Sequence, residues 1–291
     1  MIQYKQLLKT ICNEGTIRGD RTGTGTLSIF DYRIEFDLRD GFPACTTKKL
    51  AWNAVRAELM WFLSGSSNVD DLRRLTHGVL GRKQTIWDAN YNKQAVDLGL
   101  TGGDLGAVYG RQWRAFANYK ITDHGNLEAV GDKVDQIVEL LKEARDNPDS
   151  RRLLVSAWNP NALAVSSLPP CHWAFELYID NGFLDMKWHQ RSVDVFLGLP
   201  FNIASYALLQ HIFAQLLGLT PRKLVGDLTN VHIYNDHRDQ VKEQLSRNCL
   251  ELPTLVLPKF TSLEELLYCE PNEFILKGYE SHLAIKANMS A

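Results

Sequence analysis

No uncharged apolar run of eighteen residues occurs in this chain, so no segment is expected to cross a membrane as a helix. The opening residues, MIQYKQLLKTICNEG, lack a long apolar stretch followed by a small-residue cleavage site, and no targeting segment is expected there. Cysteine is scarce. The five residues Cys12, Cys45, Cys171, Cys249 and Cys269 contain no CxxC pair, and an odd count makes a poor disulfide framework. A reducing, cytoplasmic setting follows as the expectation. Neither sign of charge dominates: 32 Lys and Arg stand against 34 Asp and Glu, for a net charge of −2. That balance removes the general basic surface expected of a nucleic-acid-binding protein, although a local phosphate site remains open. There is no HxxxH or clustered Cys/His spacing, so no metal is expected. Low-complexity linkers and internal repeats are also missing.

What is present is a foldable composition. Over 291 residues, 45% are hydrophobic, 10% aromatic and 23% charged, which excludes a disordered or collagen-like chain. Residues 2–12 have the apolar spacing of a short helix, and 53–63, with Val55, Leu59 and Phe62 on one face, of a second that ends at Gly65. A helix is expected over 131–144, with Val134, Ile137, Val138 and Leu141 as its apolar stripe. The longest is expected over 202–217, leaving at Gly218 and Pro221. Strands are expected after Thr26, at 153–157, at 173–179 and 183–188 around Asn181-Gly182, and at 252–257, with a short helix near 261–268. Hairpins mixed with separated helices predict an α+β fold in one compact domain.

Several residues suggest chemistry. The segment Arg21-Thr-Gly-Thr-Gly-Thr26 is not a dinucleotide fingerprint, because Ser28 stands where the third glycine belongs and a strand follows. It reads as a tight turn or as a phosphate grip using Arg21. Cys171, in Leu168-Pro-Pro-Cys-His172, is either an inert thiol or a nucleophile with a raised thiolate fraction. Arg21, Arg151, Arg152 and Arg191 offer forked donors suited to a phosphate if they converge. Asn202 can cap a helix or read the edge of a planar base. Glu58, in an apolar helix, is either a surface residue or an acid–base group with a raised pKa. His232 and Tyr234 share one strand face.

Taken together and in order, these segments resemble the thymidylate synthase family over nearly the whole chain. The matching stretches include Asp20-Arg-Thr-Gly-Thr-Gly25, Thr46-Thr-Lys-Lys49, Glu58-Leu-Met-Trp-Phe-Leu-Ser-Gly65, Ile86-Trp-Asp88 and Gln112-Trp-Arg114. The most specific are Leu168-Pro-Pro-Cys-His172 and Gln190-Arg-Ser-Val-Asp-Val-Phe-Leu-Gly-Leu-Pro-Phe-Asn-Ile-Ala-Ser205, followed by His232-Ile-Tyr234 and Gly278-Tyr-Glu-Ser-His282. The likeness is to the enzymes carried by bacteriophages.

The resemblance implies a single domain whose mixed sheet joins a homodimer. It also implies reductive methylation of 2′-deoxyuridine 5′-monophosphate (dUMP) to dTMP. The cosubstrate would be 5,10-methylenetetrahydrofolate, giving both the carbon and the hydride and leaving as dihydrofolate, with no metal. Cys171 would attack C6 of uracil; Glu58, Tyr109 and His172 would manage water and protons, and Asn202 would select uracil over cytosine. Arg21, Gln190, Arg191 and Ser192, with Arg151 and Arg152 from the neighbouring subunit, would hold the nucleotide. His232 and Tyr234 would bind the sugar 3′-hydroxyl. Lys48, Ile86, Trp87, Leu168, Asp194, Leu197, Gly198, Phe201 and the terminal Ala291 would form the folate site, Asp194 serving both ligands. A segment at about 282–291 would close over it.

The chain departs from the family pattern at Ala107 (commonly Pro), His189 (commonly Tyr), Asn90 (often Trp) and Ala291, a small residue for a closing segment. The last departure keeps a second reading, a deoxyuridylate hydroxymethylase in which water captures the methylene intermediate. A third, an RNA-binding regulator, has few basic residues to support it.

Overall fold

The protein is seen as a computed structural model that describes residues 1–20, 23–78 and 83–288. Arg21 and Ala291 lie outside the described residues. The strands are β1 (Thr16–Arg18), β2 (Thr26–Asp37), β3 (Phe116–Ile121), β4 (Leu127–Val134), β5 (Leu154–Ser156), β6 (His172–Asp180), β7 (Phe183–Asp194), β8 (Thr220–Tyr234), β9 (Thr254–Val256) and β10 (Ile275–Lys277). The helices are α1 (Ile2–Glu14), α2 (Trp52–Ser64), α3 (Val69–His77), α4 (Asp88–Asn90), α5 (Tyr109–Arg114), α6 (Gln136–Asp146), α7 (Leu199–Leu217), α8 (Arg238–Ser246) and α9 (Leu263–Tyr268). Helices and a mixed sheet give the α+β arrangement expected. The chain forms two compact units, one of Met1–Trp52, Asp180–Pro258 and Phe274–Ala291, the other of Asn53–Ile179 and Lys259–Glu273.

In the first unit, β2 pairs antiparallel with β8, while β7 pairs parallel with β8. A parallel pair needs a long crossover, and α7 supplies it. This β7–α7–β8 crossover places the ends of β7 and β8 level, with Asp194 opposite His232. Helix α7 is buried almost all round: Leu199, Ile203, Leu208, Leu209, Ile212 and Phe213 are fully enclosed. It starts three residues earlier than periodicity suggests, because Pro200 suits a first turn and lacks only an N–H that would go unused there. Helix α1 buries Tyr4, Leu7, Leu8 and Ile11, and the Tyr4 hydroxyl donates to the Val195 carbonyl at 3.0 Å. Gly226 is required by packing, since a Cβ there would collide with the indole of Trp188.

In the second unit, α2 turns Val55, Leu59, Trp61, Phe62 and Leu63 inward and stops at Gly65, whose φ of 76° suits glycine. The helix expected at 131–144 begins only at Gln136. Residues up to Val134 belong to β4, which pairs with β3. Asp135 caps α6 by accepting from the Val138 amide at 3.1 Å. The buried stripe is therefore Ile137, Leu140, Leu141 and Ala144, whereas Val134 and Val138 are exposed. Strand β5 is shorter than expected, and Leu154 on it is half exposed. The Asn181–Gly182 turn has left-handed φ values of 48° and 81°, as that dipeptide favours.

Candidate active site

The second unit assembles Cys171 with three groups from distant parts of the sequence. The Cys171 amide donates to the Tyr109 hydroxyl at 2.8 Å. Tyr109, almost fully buried in the first turn of α5, stacks on His172 with ring centres 4.2 Å apart and planes 20° apart. Its other neighbours are Phe62, at 5.0 Å, and the edge of Trp87, at 6.0 Å. Trp87 in turn donates its indole N–H to Glu58 at 2.6 Å. An apolar and aromatic shell thus surrounds one thiol-bearing turn and one carboxyl.

That shell sets the charge states. Desolvation raises Glu58 to about 7, and the Trp87 hydrogen bond offsets part of the rise by favouring the ionised form. Glu58 therefore exchanges its proton near neutrality, as acid–base work requires. Burial lowers His172 to about 3, so its ring is neutral at physiological pH and packs as an uncharged aromatic surface. Ile86, next to Trp87, is exposed. Leu168 is partly buried. Arg151 and Arg152 are exposed in a turn after α6, beside a depression of about 340 Å³ that Glu143, Asn147, Asp149 and Ser150 also line.

The first unit carries a polar set at the carboxyl ends of β7 and β8, where ligands collect on parallel strands. Trp188 stacks flat on Tyr206 at 5.4 Å and donates its indole N–H to Gln190 Oε1 at 3.2 Å. Gln190 Nε2 then donates to Asn202 Oδ1 at 3.0 Å and to the Ser192 carbonyl at 3.1 Å. This relay fixes which end of the Asn202 amide is oxygen. Oδ1 retains a second lone pair and Nδ2 two donors, the pattern that matches the N3–H and O4 edge of uracil. Arg191 and Ser192, partly exposed, precede Asp194 on the same strand.

Asp194 Oδ1 accepts from the amides of Phe196 and Leu197, both at 3.0 Å, and so shapes the turn into α7. Gly198 and Phe201 follow, both partly exposed. His232 Nδ1 lies 3.1 Å from Asn230 Oδ1 and 3.3 Å from the Asn230 carbonyl. Both partners only accept, so Nδ1 carries the hydrogen and Nε2 is left as an acceptor. Burial lowers the His232 pKa and keeps that neutral form. Tyr234 meets His232 edge-on at 5.2 Å.

Lys48 differs most from its expected setting. Rather than extending towards an acidic ligand, its Nζ donates to the Phe196 carbonyl and lies 3.6 Å over the Phe196 ring. Desolvation lowers it to about 8. Sequence reasoning missed Asn230, which sets the His232 tautomer; its i, i+2 spacing from His232 on one strand was the available signal. It also missed the Trp87–Glu58 bond and the Tyr109–His172 stack, which no spacing announces. Among the described residues, no group of three or more His, Cys, Asp or Glu is arranged to hold a metal ion. No helix among them is long and apolar enough to cross a membrane.

Comparison with known proteins gives this arrangement its context. The family model described as thymidylate synthase matches residues 2–291. A probable thymidylate synthase of Escherichia phage T5 is 52% identical over 296 residues, and the thymidylate synthase of Enterobacteria phage T4 is 48% identical over 300, each covering both chains fully. The crystal structure of thymidylate synthase from phage T4 superposes with a TM-score of 0.89 at 46% identity, again over the whole of both chains. Fold and matches together define a one-carbon transferase of nucleotide synthesis. The chain belongs to the thymidylate synthase family. Its activity is the reductive methylation of dUMP to dTMP, with methylenetetrahydrofolate converted to dihydrofolate, and the hydroxymethylase alternative is not favoured.

Proposed function

We propose that Cys171 is the nucleophile of this reaction and that Glu58, Tyr109 and His172 are its proton-handling and positioning partners. The observation that carries the assignment is the Cys171–Tyr109–His172 arrangement beside a carboxyl titrating near 7. The thiolate adds to uracil C6, and the electron pair moves through C5 towards O4. Glu58, protonated on about half of the molecules near neutrality, supplies the proton that quenches charge on O4. After C5 acquires the one-carbon unit, its hydrogen leaves to water oriented at the Tyr109 hydroxyl. Neutral His172 holds Tyr109 by stacking. Bond cleavage at C6 finally returns the thiolate.

Asn202, oriented by Gln190, reads N3 and O4. Cytosine presents the reverse pattern there, which leaves buried groups mismatched at a cost of about 1–3 kcal/mol for each unsatisfied group. His232 Nε2 accepts from the 3′-hydroxyl, with Tyr234 beside it. Arg191 and Ser192 hold the phosphate with Arg21, and Arg151 and Arg152 reach it from the partner subunit of a homodimer.

The family's cosubstrate, methylenetetrahydrofolate, supplies the one-carbon unit and the hydride when bound. The residues fit it: Asp194 keeps one carboxylate oxygen beyond the two amides it caps, and Leu197 and Phe201 offer partly exposed apolar surface beside it. Gly198 allows close approach, while Ile86, Trp87 and Leu168 add apolar contacts. Lys48 reaches a glutamate tail only by leaving Phe196, and Ala291 ends the closing segment of about 282–291. In this reading residues 1–291 act as one domain, in the cytoplasm of the cell that makes the protein.

The test is the mass of the nucleotide formed from dUMP and methylenetetrahydrofolate. A gain of CH2 with an equal yield of dihydrofolate is expected; a gain of CH2O without dihydrofolate would instead establish hydroxymethylation. Cys171→Ala is expected to abolish turnover while dUMP still binds, and full activity in that variant would remove Cys171 from the role.

A further inference from the structure

Three segments of the second unit meet at Glu58, and hydrogen bonds close them into a ring. Glu58 lies on α2, and the Trp87 indole donates to it from the turn at 85–88. Asp88, the next residue, ties that turn to α3. Its Oδ1 accepts from Arg73 Nε at 2.9 Å and also from Arg73 Nη2. Arg73 Nη1 donates to Asp70 Oδ1 at 2.5 Å, which fixes the guanidinium against its own helix. Helix α3 is tied in turn to the start of α2, where Asn53 Nδ2 donates to the Thr76 carbonyl. The circuit runs from Glu58 through Trp87, Asp88, Arg73, Thr76 and Asn53, and returns along α2.

Asp88 is buried, its side chain only 3% exposed, and both of its oxygens are occupied. Oδ2 accepts from the Thr85 amide at 2.5 Å and from the Thr85 hydroxyl at 2.9 Å. The Asp88 amide donates back to the Thr85 carbonyl at 3.3 Å, so one residue pins both ends of the turn that carries Trp87. Burial acts to raise the Asp88 pKa, but the Arg73 and Thr85 donors outweigh it and hold the carboxyl below its ordinary value. A carboxylate this far out of water depends on its counter-ion staying in place. The Trp87 ring itself packs against Trp61 at 5.5 Å, Phe62 at 6.3 Å and Tyr109 at 6.0 Å. Ring contacts tolerate a range of distances, whereas a hydrogen bond to one carboxyl oxygen needs a directed N–H. That direction depends on what fixes the backbone at residue 87, and Asp88 fixes it.

We infer that Arg73 and Asp88 are positioning residues for the reaction: their ion pair holds the turn at 85–88 so that the Trp87 indole N–H meets the Glu58 carboxyl. That Glu58 is the proton donor rests on the function proposed above; the aiming of Trp87 rests on the hydrogen bonds alone. The other titratable groups around this ring are Tyr109 on α5, Cys171 and His172 at the start of β6, and Asp70 on α3. The Glu58 carboxyl is governed by its burial and, in opposition, by the Trp87 N–H. Whatever turns that N–H away therefore reaches Glu58 without touching it.

The test follows the Trp87 indole N–H resonance against pH by NMR, beside the pH profile of kcat, in the full chain. The resonance is assigned by its absence from Trp87→Phe, and its bond to Glu58 makes it titrate as that carboxyl ionises. The midpoint is expected near 7. In Arg73→Met it is expected to rise by about half a pH unit, the size of a weakened hydrogen bond to a charged group, and the alkaline limb of kcat with it. Asp88→Asn is expected to do the same, since an amide has one acceptor oxygen for two sets of donors. Arg73→Lys keeps a cation beside Asp88 and is expected to restore most of both. The sign separates positioning from charge: acting through space, loss of the Arg73 charge would raise the midpoint and loss of the Asp88 charge would lower it. Opposite shifts, or an unmoved midpoint in both variants, would overturn the inference, as would an Arg73→Lys protein no different from Arg73→Met. Added to Trp87→Phe, Arg73→Met is expected to move the limb no further, and an additional rise would show that Arg73 acts by another route. If Arg73→Met does not fold, the Asp88→Asn shift decides: a rise supports the inference and anything else overturns it. A midpoint that rises while the kcat limb stays in place would instead defeat Glu58 as the proton donor and leave the aiming of Trp87 intact.

Discussion

The indole N–H of Trp87 is hydrogen-bonded to the Glu58 carboxyl at 2.6 Å, and it is the interaction that draws this desolvated acid back towards ionisation. Twenty-nine residues separate the two. Between them they set the pH at which the protein changes protonation state near its candidate nucleophile.

Trp87→Phe removes the donor while keeping an aromatic ring. The Glu58 pKa should move up from about 7, and the alkaline limb of the kcat profile, where the proton donor is lost, should move up with it. Glu58→Gln should remove that limb and lower kcat by about 10²–10³ if the carboxyl is the proton donor. A pH profile of kcat for both variants checks this, and an unshifted limb in Trp87→Phe would assign the titration elsewhere.

His172 gives a stability prediction. Its pKa is about 3 when folded and near 6.5 when unfolded, so the unfolded chain binds more protons between those values. Stability from this residue is complete above about 6.5 and is lost as the pH falls towards 3. Urea unfolding at pH 4.5 and 7 should show a drop that His172→Phe lessens by about 2–3 kcal/mol. Equal drops in the two proteins would mean that His172 is protonated without opposition.

Tyr109→Phe deletes the hydroxyl that accepts from the Cys171 amide while retaining the ring that stacks on His172. We expect the nucleotide to bind almost as before and kcat to fall by about 10–10² as the thiol-bearing turn loses its tether. Steady-state kinetics and nucleotide titration separate the two effects; a loss confined to binding would contradict the assignment.

Gln190→Met severs the relay from Trp188 to Asn202 without large loss of volume. The amide of Asn202 can then turn over, and its preference for dUMP over dCMP should fall by about tenfold. Competition between the two nucleotides measures this directly.

The residues proposed for the site stand largely in short contiguous stretches, and these are legible in the sequence. The run 190–205 carried the family resemblance, but its strand was expected to end at 188 and its helix to begin at 202, whereas β7 continues to Asp194 and α7 begins at Leu199. Glu58 stood out as a carboxyl in an apolar helix for a reason the structure supplies, namely its aromatic surroundings. What was not readable depends on non-local pairing. Residues 131–134 obey a helical period, but the edge of β3 recruits them as a strand and Asp135 starts the helix afterwards. Lys48 entered the folate site only through the family resemblance, which carries no information on its packing; the Phe196 ring beside its ammonium arrives from a distant segment. Tautomers and stacks, as at His232 and Tyr109, depend on such meetings too.

The Asn230–His232 pair has a consequence for how the enzyme responds to its medium. Burial lowers the His232 pKa, so acidification charges this ring only below the range of a free imidazole, and until then its proton stays on Nδ1. Glu58 titrates higher, near 7. In the reading proposed above, the first response of the site to a falling pH is therefore in its proton donor, before the group beside the sugar has changed charge.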